Sequence, residues 1–270
     1  MNTHATLTVR ALYDALDHLI PHSLSLSGDN DGLMVCPDPS APVQGILFAL
    51  DATEDAVRTA AERGCNVIIS HHPMIFRGVR AVHGEDTVTR KIVRLAKEDI
   101  AVMSFHTRLD TVEGGVNDVL AGLLGLGNVT AFGDASNEAH KPIGRVGDLP
   151  QSMTLADFAD LVKSALGAPS VAFADATRPV HRVAVLGGAG DDDIALAALA
   201  GADTYVTGEL RYHILCDAPY GSINLIVAGH YHTEAPVCTA VEATVRRIYA
   251  EADLPCPRFE VFTACNIQYV

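Results

Sequence analysis

GILFALDATEDAVRTAAERGCNVIIS, residues 45–70, opens on one short apolar run and closes on another. Between the runs lie Val57 and Ala61 of a helical stretch, so the segment reads strand, helix, strand. Downstream, a helix around Ile92 to Lys97 leads to a third strand over residues 100–105, and residues 116–124 are helical again. Upstream, Val9, Leu12, Leu16, Leu19 and Ile20 recur at helical spacing and Pro21 ends the run. Residues 27–42, rich in Gly, Asp and Pro around Leu33, Met34 and Val35, read as loop with one short strand. Alternation of this kind predicts a layered α/β lobe.

A second lobe follows. Gly133, Pro142, Gly144, Gly147 and Pro150 mark residues 132–152 as a composition break, read as the connection between lobes. Thr154 and Asp157 have capping-box spacing ahead of Phe158, Leu161, Val162 and Leu166. Strand, helix and strand then recur over residues 183–186, 194–200 and 204–207. Setting Ile46 against Val183 aligns ILFALD with VAVLGG and, without a gap, GCNVIIS with GADTYVT. The fold class is therefore α/β, with two lobes built on related βαβ units. Residues 1–130 plus 235–270 are assigned to the first lobe and 131–234 to the second; the family resemblance given below implies no inserted third domain.

The chain is 49% hydrophobic and 19% charged, enough apolar material for packed cores, which excludes a disordered protein. No apolar run approaches the roughly 18 to 20 residues of a membrane span, and His4, Arg10, Asp14 and Asp17 interrupt any signal-peptide pattern. A soluble, cytoplasmic protein is expected, with no membrane partner. The formal net charge of −14 repels phosphate backbones and disfavours nucleic acid as a partner. Cys36, Cys65, Cys216, Cys238, Cys256 and Cys265 form no C-x-x-C pair, so neither a zinc ribbon nor a disulfide framework is indicated.

Three words carry the chemistry: SHHP at residues 70–73, FHTRLD at 105–110 and GHYHTE at 229–234. Each follows an apolar strand run, and the C-terminal ends of such strands are where ligands collect in open α/β sheets. His106 and Asp110 share a spacing of four with His230 and Glu234, which lets each pair face one point. Adjacent side chains at a strand end diverge, so His71 and His72 are expected to serve two ions rather than one. His71, His72, Asp110, His230 and Glu234 thus form a candidate site for two divalent metal ions, with His106 beside it. Imidazole with carboxylate suits Zn, Fe, Mn, Co or Ni. Two divalent cations against two carboxylates leave positive charge for hydroxide and an anionic substrate, and such a site brings bound water to a pKa of roughly 7.

Other residues are weaker candidates. His4, His18, His22, His83, His140 and His181 read as ordinary core or surface histidines, and His232 stays open. Gly187, Gly188 and Gly190 follow a strand, but Asp193 stands where a dinucleotide fingerprint needs glycine, so a tight turn is the better reading. Glu209 and His213, four apart after another strand, are candidate substrate-binding residues.

Read in order, DNDGLMV (29–35), ALDAT (49–53), IISHHPMIF (68–76), FHTRLDTVEGGVND (105–118), VTGELRYH (206–213) and AGHYHTE (228–234) resemble the dinuclear metal-centre proteins named GTP cyclohydrolase 1 type 2. The resemblance spans nearly the whole chain. It implies two α/β lobes with the metals in the cleft between them, a homohexamer, and His71, His72, Asp110, His230 and Glu234 as ligands, Glu234 bridging. His106 then falls beside the metals as ligand, supporting group or general acid/base, the last being preferred. The implied function is a metal-dependent hydrolase in which metal-bound hydroxide attacks a small anionic, nucleotide-like molecule; for GTP the attack is at C8 of the purine. A phosphoesterase, or a metal-storage, metal-delivery or scaffold protein without turnover, is the alternative.

Overall fold

The computed structural model describes residues 6–268 and 270, in two compact units. The first comprises the chain up to Leu109 with Cys238–Ala264, the second Asp110–Val237 with the residues from Cys265.

In the first unit the chain runs α1 (Val9–Leu19), β1 (Gly32–Val35), β2 (Gly45–Ala49), α2 (Glu54–Glu62), β3 (Val67–Ser70), α3 (Thr87–Lys97) and β4 (Ala101–Ser104). The one-turn helix α4 (Thr107–Thr111) carries the chain into the second unit. There follow α5 (Val116–Leu123), β5 (Gly127–Phe132), β6 (Gly144–Met153), α6 (Leu155–Ala165), β7 (Ala172–Ala174), β8 (Val180–Ala189), α7 (Ile194–Leu199), β9 (Thr204–Glu209), α8 (Tyr212–Asp217), β10 (Asn224–Val227) and α9 (His230–Glu234). The chain returns through α10 (Val237–Glu251) and ends the first sheet with β11 (Arg258–Phe262).

The first sheet has the order β1-β4-β3-β2-β11, parallel except for β1. Every residue of β2, β3 and β4 is buried, as central parallel strands covered on both faces must be. Leu47, Ile68 and Val102 of those strands pack with Val57, Ala60 and Leu95 of α2 and α3 into one core. Thr53 and Asp86 cap the two helices, each accepting a backbone N–H of the first turn, a contribution of about 1 kcal/mol apiece.

The second sheet has the order β5-β6-β8-β9-β10-β7, with β8, β9 and β10 parallel. Its core gathers Leu120, Leu124, Phe158, Val162, Val183, Val206 and Ile226. Thr154 caps α6, its Oγ1 accepting the Asp157 N–H (3.2 Å), and the Asp157 carboxylate turns back to accept the Thr154 hydroxyl (2.7 Å).

The two βαβ units share their register. Ile46 pairs with Val67 across β2 and β3, and Val183 with Thr204 across β8 and β9, as the ungapped alignment requires. The likeness extends outward, since β4 and β10 each add a parallel strand and each is flanked by an antiparallel one, β1 and β7.

Two sequence readings are corrected. The stretch 132–152 is no linker, because it holds the ten-residue strand β6, paired to β5 and β8. Its Gly144 answers to packing: a Cβ there would stand 2.6 Å from the Phe132 ring. Pro150 sits where the β6–β8 register shifts, the place a sheet tolerates proline. The second unit accordingly begins at Asp110, ahead of that stretch, with α5 packed on β6 and β8. Among the described residues no helix is long and apolar enough to cross a membrane.

Candidate metal centre

In the first unit the C-terminal ends of β3 and β4 present three imidazoles. His71 and His72 follow β3, and their N–H groups continue the strand by donating to the carbonyls of Ala49 (3.3 Å) and Leu50 (2.9 Å). The Ser70 hydroxyl donates to the His72 carbonyl (2.9 Å), which folds the chain back on itself at once. As a result the two adjacent rings do not diverge as expected from an extended strand. Their centroids lie 5.0 Å apart, and the His106 ring is 5.4 Å from His71 and 5.8 Å from His72. The ligating atoms of the three residues fall within 4.8 Å of one another.

Each ring is oriented through Nδ1. His71 Nδ1 is 3.0 Å from the Phe105 carbonyl, which can only accept, so Nδ1 carries the proton and Nε2 keeps its lone pair. His72 Nδ1 lies 2.8 Å from Asp51 Oδ1, and His106 Nδ1 lies 2.8 Å from Asp29 Oδ1. A histidine whose Nδ1–H is held by a carboxylate or carbonyl is the arrangement that readies Nε2 for a metal ion.

The DND word builds the support for His106. Asp29 takes the Thr107 hydroxyl (2.6 Å) and Thr107 N–H (3.2 Å) on Oδ2. Burial acts to raise the Asp29 carboxyl, but the hydrogen bonds from His106 and Thr107 and the charge of His106 outweigh it and hold the acid well below the usual carboxylate range. Asp31 accepts His106 N–H (3.3 Å) and Arg108 Nε–H (3.0 Å). Arg108 is fully buried, donates also to Asp17 (2.6 Å) and the Ile20 carbonyl (2.9 Å), and stacks on the Phe105 ring. One buried guanidinium thus ties α1, the DND loop and the end of β4 together.

In the second unit, α9 turns the spacing of four between His230 and Glu234 into one contact: His230 Nε2 is 3.0 Å from Glu234 Oε2. Glu209, at the end of β9, lies 3.2 Å from His230 Nδ1. With Nδ1–H given to Glu209, Nε2 faces a carboxylate oxygen as one acceptor faces another, an arrangement stable only with a cation between them, a proton or a metal ion. Asp110 and Glu234 are both buried, and their carboxylate oxygens lie within 4.8 Å of each other. Two acids so close out of water are held there by a shared proton or by neighbouring positive charge.

Gly188 makes room for this. Its φ of +68° is in the left-handed region, and a Cβ there would stand 2.2 Å from Glu234 Oε1. The tight turn read in LGGAG is confined to Gly190, since β8 runs on through Ala189, and it is Gly187 and Gly188 that leave room for Glu234.

Of the residues singled out by sequence, the structure groups His71, His72 and His106 in one unit and Asp110, His230 and Glu234 in the other. Asp110 and Glu234 each lie within a one-turn helix, α4 and α9, rather than at the start of a longer one. Glu209 reaches the site through His230, while His213 is exposed on α8 and belongs to neither group; the two sit on a strand end and a helix, not on one helical face. His232, two positions after His230 on a helix, points elsewhere and packs on Tyr231. Sequence reasoning missed Asp29, Asp31, Asp51 and Gly188. The signal available was chemical: each ligand histidine needs an acceptor for its second nitrogen, and the acidic words DND and ALDAT were at hand.

The donor set fits divalent transition metals, being imidazole nitrogen and carboxylate oxygen throughout. Residues 7–262 match the family model described as Duf34/NIF3 (NGG1p interacting factor 3). The chain is 34% identical over 236 residues to a Clostridium perfringens protein named GTP cyclohydrolase 1 type 2 homolog, covering 87% of this chain and 90% of that one. A Clostridium acetobutylicum protein of the same name is 36% identical, over 86% and 87% of the two chains. Among solved structures, Staphylococcus aureus hypothetical protein SA1388 superposes with a TM-score of 0.89 at 29% identity, covering 98% of this chain and all (100%) of that one. A Bacillus cereus protein related to NIF3 shares the fold, with a TM-score of 0.88 at 24% identity over 98% and 99% of the chains.

Proposed function

The chain belongs to the Duf34/NIF3 family, and from that premise we propose that it is a dinuclear metal-dependent hydrolase acting on a small anionic, nucleotide-like substrate. We propose further that His71, His72, Asp110, His230 and Glu234 are the ligands of a pair of divalent ions. The observation that carries the reading is the orientation of the imidazoles: His71, His72 and His106 each have Nδ1 within 3.0 Å of an outer acceptor, leaving Nε2 for the site.

When bound, the ions would supply Lewis acidity and a nucleophile drawn from water near neutral pH. His71 and His72 hold their rings fixed through Phe105 and Asp51. His106, its Nδ1–H anchored on Asp29, takes up a proton at Nε2 and returns it to the leaving atom, the role of a general acid/base. For GTP the reaction is ring opening at C8 with loss of formate, in keeping with the name its relatives carry. A homohexamer in solution belongs to the same proposal.

The experiment is elemental analysis of protein purified without added metal, followed by assay of the loaded protein against GTP and a phosphoester panel, scoring formate and phosphate separately. Two ions per chain and formate release that vanish together in Asp110→Ala are expected. Phosphate release alone makes the protein a phosphoesterase; full metal content without turnover on any substrate leaves a storage or delivery protein.

A further inference from the structure

The loop between β3 and α3 leads away from the histidine pair. Residues 73–89 wall a cavity of about 670 Å³ whose lining includes Phe76, Arg77, Val79, Arg80 and His83. It opens directly after the histidine pair, and its aromatic member reaches the site, the Phe76 ring standing edge-on to His106 with centroids 6.1 Å apart. Phe76 is nonetheless 54% exposed, a large apolar ring left in water beside a candidate reaction centre. Val79, also exposed, lines the same cavity, and apolar surface gathered in one place, unlike a residue exposed singly, marks ligand-binding grooves.

Among the described residues neither Arg77 nor Arg80 takes part in an ion pair, whereas Arg90 and Arg94 on the next helix both reach Glu54. The acidic residue on the same wall, Asp86, is committed to capping α3, accepting N–H from Val88 (3.0 Å) and Thr89 (2.9 Å). In a chain of net charge −14, Arg77 and Arg80 place two guanidiniums within four residues of Phe76, ahead of the loop's acids, Glu85 and Asp86. The loop is not loose, since Asn30 donates to the Ile75 carbonyl and the Thr89 hydroxyl to the His83 carbonyl (2.6 Å).

We propose that this cavity is the substrate-recognition subsite, taking an aromatic ring that carries a phosphate chain: Phe76 stacks on the ring and Arg77 and Arg80 pair with the phosphates. The assignment rests on His106 belonging to the reaction centre, and it explains how an acidic protein recruits an anion. Guanidinium forks match phosphate oxygens bidentately, and an aromatic platform beside them holds the ring toward His106.

The test is calorimetric binding of three probes, GTP, guanosine and inorganic tripolyphosphate, to the full-length chain in metal-loaded and chelator-treated forms. Arg77→Gln/Arg80→Gln should weaken GTP and tripolyphosphate by about tenfold or more while leaving guanosine unchanged. Phe76→Ala should weaken GTP and guanosine by roughly 5- to 100-fold and spare tripolyphosphate, with Phe76→Tyr restoring binding. Metal content and melting temperature should match wild type in every variant, since these side chains are exposed and touch no proposed ligand except across His106. The subsite is overturned if wild type binds none of the probes in either form, or if the variants bind all three as wild type does. Selective losses in a protein without turnover would retain the subsite and remove the hydrolase; turnover of GTP unaffected by the variants would do the reverse.

Discussion

His106 Nδ1 lies 2.8 Å from Asp29 Oδ1, and the Asp29 side chain is almost wholly shielded from solvent. That contact fixes which nitrogen of the ring carries the proton and which way the other points. Asp29→Asn keeps the shape but can present an N–H to the ring and invert its tautomer. Activity is expected to fall about 10- to 100-fold with unfolding stability little changed, measured by formate release and urea titration. Activity equal to wild type would remove Asp29 from the mechanism.

Gly188 is the second pressure point. An alanine there must take φ +68° and must displace the Glu234 carboxylate from contact. Gly188→Ala should cost about 2 kcal/mol or more in stability and lower the metal content together with it. Retention of full metal by elemental analysis would show that Glu234 has another place to go.

Removal of metal offers a third check. If the ions bind the folded chain alone, a free concentration a hundred times Kd adds about 2.7 kcal/mol. Dialysis against a chelator should then lower Tm by on the order of 5 to 10 °C, and readdition of Zn, Mn or Co should restore it. A melting curve indifferent to both treatments would argue against any tight site.

Arg108 holds Asp17 and Asp31 with no solvent contact of its own. Arg108→Met leaves the buried Asp31 carboxylate without its cation, a loss of about 3 to 5 kcal/mol in urea unfolding. Adding Asp31→Asn should recover part of that loss, because it removes the stranded charge. A single variant within 1 kcal/mol of wild type would show that water replaces the guanidinium, on the order of what exposed pairs contribute.

Much of the fold was legible because parallel strands buried on both faces read as plain apolar runs, as ILFA, VIIS and NLIV do. β6 was not, because Gly144 and Pro150 look like loop punctuation until the Phe132 ring and the register shift explain them. β11 escaped for another reason: RFEVF is half exposed at a sheet edge and pairs with β2 from far along the chain. The His and carboxylate words were visible as candidates. Their supports were not, because Asp29, Asp31 and Asp51 meet their histidines only through tertiary folding, and an aspartate in a turn is otherwise unremarked. The folding back of the chain after Ser70, which aims His71 and His72 the same way, depends on a hydroxyl-to-carbonyl bond that periodicity does not encode.

The shared register of the two sheets has a consequence for how such a protein can diversify. The alignment that sets Ile46 on Val183 sets His71 on Gly208, where a Cβ would stand 2.6 Å from the Gly188 carbonyl and 2.8 Å from His230 Cα. A histidine is sterically barred from the second copy at the place the first copy uses it. A side chain there would have to move His230, so symmetry of scaffold and asymmetry of chemistry are held together by one missing methyl.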